Sequence, residues 1–135
     1  MHVPARLVTS VDLDRTAGPS FDTDDQMAVS ALLELELDDG RRVVLLDDRG
    51  WSSHGRGVWA HTTLEDLAET SRMVVGPDEP PDGVSYEEEA AMHWGELAAR
   101  ARRSGIDVDG GDLIALPHDV DISPEVRARV ARGRR

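Results

Sequence analysis

The chain has 135 residues, 27 acidic against 15 basic, for a formal net charge of −12 at pH 7, and it contains no cysteine. A domain of this length buries roughly two-thirds of the surface its unfolded form exposes, so no covalent or metal staple is needed to hold it. Without cysteine there are no disulfides, thiolate metal sites or cysteine nucleophiles; without lysine there is no P-loop and no side-chain Schiff base.

Lysine and asparagine, whose codons are A-rich, are both missing, and arginine, alanine, glycine and aspartate are plentiful, which points to a GC-rich bacterial genome. The opening residues lack the apolar core of a signal peptide, and the longest apolar runs, Val43 to Leu46 and Leu113 to Leu116, are far too short to span a bilayer. A soluble, cytoplasmic protein is expected. The charge is uneven. The last nine residues, 127–135, hold five arginines and no acid, so the first 126 carry 27 acidic against 10 basic residues, a balance of −17. This divides the chain into a domain over 1–126 and a basic, frayed C-terminal tail over 127–135. The acidic body repels nucleic-acid phosphates and attracts cationic partners.

In chain order, the odd positions from Val3 to Leu13 are mostly apolar, which predicts a half-buried strand, and Pro4 near its start favours an edge position. Asp14 to Gln26 is a turn-rich connection in which Phe21 serves as a loop anchor. Met27, Val29, Ala31, Leu33, Leu35 and Leu37 then fall on one face of the longest strand signal in the chain. Asp38-Asp39-Gly40 suits a three-residue bulged turn that sets Leu35 opposite Val43, Leu33 opposite Leu45 and Glu36 opposite Arg42. A two-residue turn would slip the register and send Val44 and Leu46 to the leucine face instead. Because Val43 to Leu46 is apolar throughout, one pair faces the side of Glu34 and Glu36. That side is either covered by a helix of the protein or is a binding surface.

Arg49 to His61 reads as a glycine-bearing loop with two tryptophans and two histidines, and Val58-Trp59-Ala60 as a short strand. A first helix opens at Thr62 or Thr63 and ends at Gly76-Pro77, with Leu64, Leu67, Ala68, Ser71 and Val75 inward. Ser85 caps a second helix, Tyr86 to Ser104, whose stripe is Tyr86, Ala90, Trp94, Leu97 and Ala101 with His93 at its border. Ile106 to Ser123 reads as a turn between two short apolar pieces, and Ser123-Pro124-Glu125 starts a last short helix. The expected fold is α+β: an antiparallel meander of three to four strands, two main helices on one face, and a short C-terminal helix.

No stretch forms a motif that names a reaction. No histidine pair has the i, i+4 spacing of a helical zinc site, and a metal site would have to assemble His54 or His61 with His118, Asp119 and Asp121 from distant segments. The aspartate clusters at 22–25 and 107–112 lack the spacing of an EF-hand loop. There is no nucleophile elbow around Ser52-Ser53-His54, and Gly55-Arg56-Gly57 is no dinucleotide fingerprint. No cofactor or metal is implied. The leading reading is a non-catalytic module that binds a cationic protein, as an inhibitor or an immunity-type partner of a nuclease does, through Glu34, Glu36, Val44, Leu46, Asp47 and Asp48. The alternatives are a ligand-binding domain or metal-dependent enzyme with a pocket built from Trp51, His54, Arg56, Trp59, His61 and His118, and a homo-oligomeric structural or regulatory module.

Overall fold

In the computed structural model, which describes residues 3–16 and 24–133, the leucine-bearing strand β2 (Gln26–Leu37) lies inside a four-stranded sheet. Its six inward residues, Met27, Val29, Ala31, Leu33, Leu35 and Leu37, are each no more than 2% exposed. On one side β2 pairs antiparallel with β1 (Pro4–Leu13), setting Leu7 opposite Leu35 and Val11 opposite Ala31. On the other it pairs antiparallel with β3 (Arg42–His54). The expected α+β meander is therefore present. The fourth strand, β4 (His118–Ile122), joins β1 in parallel and completes the order β3-β2-β1-β4.

β1 is thus an interior strand, not the edge its proline suggested. Pro4 precedes the stretch from Leu7 to Val11 that pairs with β4, so its missing N–H falls where no ladder partner is required. Phe21 lies outside the described residues.

The hairpin turn takes the three-residue form. Gly40 has φ +89°, and its N–H donates to the Leu37 carbonyl at 2.9 Å. Glu36 then faces Arg42, Leu35 faces Val43 and Glu34 faces Val44. Beyond that point β3 gains a residue at each of two register shifts, so that Leu33 faces Leu46, not Leu45, and Ala31 faces Arg49. A bulge breaks the period-2 alternation, and here it turns two consecutive leucines inward. Leu45 and Leu46 are 1% and 5% exposed, whereas Val44 is left at 48%. Leu46, expected beside Glu34 and Glu36, is a core residue.

The helices pack on the leucine face. Thr63 caps α1 (Leu64–Val74) through a capping box with Asp66, and Ser85 caps α2 (Tyr86–Arg103) by accepting the Glu88 N–H at 3.1 Å. α1 buries Leu67 and Ser71; α2 buries His93, Leu97, Ala98 and Ala101. Tyr86, placed on the inner stripe by its spacing, is 61% exposed, because α2 starts beyond the edge of the core. A short helix α3 (Gly110–Ala115) occupies a stretch that reads as a turn. Asp109 and Asp112 cap it reciprocally, and a side chain at Gly110 would come within 3.1 Å of the α2 backbone at Trp94 and Gly95. Close approach to α2 outweighs the poor helix propensity of two glycines.

The basic stretch set apart by composition at 127–135 is, as far as Gly133, the body of α4 (Pro124–Gly133). Val126 and Val130 are buried in a cluster with Trp59, Leu67 and Ile122. Among the described residues no helix is long and apolar enough to cross a membrane.

The bulge generates a direct test. Leu46→Ala should cost about 2–4 kcal/mol of stability as a buried truncation, while Val44→Ala should change it by no more than about 0.5 kcal/mol. Urea denaturation of the two variants measures both, and equal losses would mean that the two side chains share one environment.

Candidate functional site

The sheet face opposite the helices is built from alternate residues of all four strands. Arg6 and Glu36 are directly opposite on β1 and β2, Glu34 faces Val44 on β3, and Asp119 of β4 flanks Val8. Arg6 donates to Glu36 from Nε at 2.5 Å and to Asp119 from a terminal nitrogen at 2.7 Å. Arg42 adds a second bond to Glu36 at 3.1 Å and stands 3.6 Å from Glu34. Hydrogen bonding from Arg6, reinforced by Arg42, holds the Glu36 carboxyl below the usual carboxylate range, and the same bonds raise the Arg6 guanidinium above its ordinary value. Glu34 and Glu36 are thus engaged by the protein's own cations. With Leu46 in the core, the apolar strip expected on this face is reduced to Val44. Asp47 and Asp48 remain exposed farther along β3.

The tryptophan and histidine stretch is divided between strand and turn. β3 continues to His54, so Trp51 is a strand residue facing Val29, packed half-buried between the two core clusters. Val58-Trp59-Ala60 is a turn, not a strand. Trp59 is 1% exposed, donates from its indole to the Gln26 carbonyl at 2.8 Å, and stacks against the Arg129 guanidinium at 5.2 Å. Both tryptophans anchor the core. His54, Arg56 and His61 are exposed, with Arg56 and Trp59 beside a hollow of about 350 Å³ shared with Asp24, Asp25 and Arg132.

His118 is remote from them. β3 and β4 are the outermost strands of the order β3-β2-β1-β4, three inter-strand steps apart, and His54 lies level with Gln26 of β2 whereas His118, through Leu7, lies level with Leu35, roughly 30 Å farther along the strand. The His118 ring is hydrogen-bonded to the Thr9 hydroxyl at 2.6 Å, and Arg72 donates to its carbonyl. Among the described residues no three histidine, aspartate or glutamate side chains gather as a metal site.

A groove with no counterpart in the sequence reading lies between the end of α1 and the start of α2. Arg72, Met73, Gly76, Pro77, Tyr86 and Trp94 enclose about 460 Å³. Met73 and Tyr86 are 72% and 61% exposed, and Trp94 is half-buried against the core. Met73 and Pro77 also border a second hollow, of about 640 Å³, that carries Asp48, Asp78 and Glu79. Arg49, in that hollow, binds Asp78 at 2.9 Å and the Val74 carbonyl at 3.1 Å. The available sequence signal was an absence: seven acidic residues and no lysine or arginine occur between Met73 and Ala99.

Comparison with protein-family models, with curated proteins and with solved structures found no match, so the functional reading rests on the residues themselves.

Two histidines, His93 buried and His118 half-buried, make stability depend on pH. Burial, foremost, depresses His93 although its ring donates to the Val75 carbonyl at 2.9 Å; burial and then the charge of Arg72 depress His118. Each stays neutral in the fold at a pH where the unfolded chain takes up a proton. Their contribution is therefore full above the unfolded value of about 6.5 and is lost as pH falls through the folded value. Urea midpoints should fall between about pH 7 and 5.5, and His93→Gln, which keeps a donor toward Val75, should flatten that fall. A fall of the same size in the variant would assign it to other groups.

Proposed function

We propose that this protein is a non-catalytic binding module that engages a cationic protein through its acidic surface. The observation that carries the reading is the way charge is distributed across the fold. Arg6 and Arg42 are committed to the carboxylates of the sheet, Arg49 to Asp78 and a carbonyl, and Arg72, Arg100 and Arg102 to backbone carbonyls of His118, Leu45 and Val108. Six of the body's ten arginines are engaged in internal contacts, while Glu79, Glu87 and Glu88 stand in solvent. The surplus negative charge is thus presented outward, where it steers and orients a positive partner.

Recovery of the tagged protein from its source cells tests this. A specific partner with net positive charge should be retained at low ionic strength and released above about 0.5 M salt, where the Debye length shrinks to a few ångströms. Recovery of no partner, or of one whose binding is indifferent to salt, would overturn the reading.

A further inference from the structure

Resting on that reading, we propose that the docking site is the groove between α1 and α2, and that its occupant is a cationic peptide segment of another protein carrying an aromatic or large aliphatic anchor. Large apolar side chains scattered singly over a surface need no explanation. Here Met73 and Tyr86 line one concavity with Trp94, Gly76 and Pro77. The volume of about 460 Å³ falls within the usual range for recognition pockets, ~300–1,000 Å³. Methionine adapts its shape to a guest, and the two aromatic rings offer faces to both apolar and cationic groups.

The charge around the groove selects the guest. Met73 and Pro77 border both the groove and the neighbouring hollow of Asp48, Asp78 and Glu79, where Arg49 is the one basic residue against three carboxylates. Arg72 stands at the opposite rim with its Nε turned to the His118 carbonyl. Glu87 and Glu88 follow Tyr86, exposed in the first turn of α2. A guest seated on Tyr86 and Trp94 therefore meets net negative charge on the α2 side and beyond Pro77. The carboxylates of the neighbouring hollow suit a segment that alternates anchors and cations. A phosphate-bearing or acidic guest is repelled.

A second copy of this chain fits poorly. Of its helices, α2 and α4 carry three arginines each; Arg100 and Arg102 of α2 are bonded to carbonyls of their own chain, and Val126 and Val130 of α4 are buried in its own core and supply no anchor.

The test is selection of a display library of random peptides, each about a dozen residues long, on the intact protein at low salt, followed by fluorescence anisotropy of the enriched peptides. Enriched sequences should combine arginine or lysine with an aromatic or leucine. Their affinity should drop tenfold or more for the double variant Met73→Gln, Tyr86→Ser, two exposed positions whose replacement leaves the core intact, as circular dichroism will verify. Enriched cationic peptides that bind the double variant unchanged would overturn the groove while leaving the acidic-surface reading in place. Enrichment of no cationic peptide would remove both. A dimer in light scattering that the double variant dissolves would show a second copy in the groove and overturn the assignment of the occupant.

Discussion

The buried face of β2 is the constraint on which the other elements depend. Six side chains at every second position are almost fully withdrawn from water, each contributing about 1–3 kcal/mol by its burial. A strand cannot bury such a face alone, so the chain must bring helices to it. They divide the work along its length. Leu33, Leu35 and Leu37 meet the cluster of Leu97, Ala101 and Leu113, while Met27 and Val29 meet Trp59, Leu67, Val126 and Val130. Trp51 packs against both groups. This explains why a chain with three tryptophans uses two of them as core anchors, and why the C-terminal helix, despite its arginines, belongs to the domain.

The same constraint shapes β3. Four consecutive apolar residues cannot all serve a strand of period 2, and the two register shifts resolve the conflict by turning Leu45 and Leu46 inward together. An edge strand with such irregularities is a poor template for another strand. Arg100 occupies the Leu45 carbonyl, and Asp47 and Asp48 follow at the kink, so charge and distortion guard the edge together. Strand addition at this edge is thereby disfavoured.

Features governed by neighbours in sequence were legible from it. The turn at Gly40, the caps at Thr63 and Ser85 and the inward face of β2 depend on residues a few positions apart, and each formed as its local chemistry dictates. What escaped depends on distant partners. β4 is a five-residue strand, His118 to Ile122, with polar alternate positions, and only its parallel pairing with β1 makes it a strand. α3 carries two glycines, and only its approach to α2 accounts for them. The same limit applies to the candidate surfaces. That Glu34 and Glu36 share a face followed from spacing, but Arg6 and Asp119, which complete their network, are separated from each other by 113 positions. Likewise the groove joins Met73 to Trp94 across a linker, and although Tyr86 and Trp94 belong to the α2 stripe, nothing in the spacing sets them beside Met73.

Arginine chemistry links these observations. A guanidinium presents several donors in a plane, so one residue can satisfy two acceptors at once. Arg6 joins Glu36 to Asp119, and Arg49 joins Asp78 to the Val74 carbonyl, tying the end of α1 to β3. An ammonium in either place would satisfy these acceptors with less geometric definition. A chain with no lysine and an excess of acid can thus knit its sheet and helix ends with few cations while keeping a net charge of −12. Arg49 has a second effect, because the bond that fastens the end of α1 also sets the position of Met73 and Pro77 relative to Asp48 and Asp78. The internal use of a guanidinium and the arrangement of the acidic hollow beside the groove therefore meet in one contact.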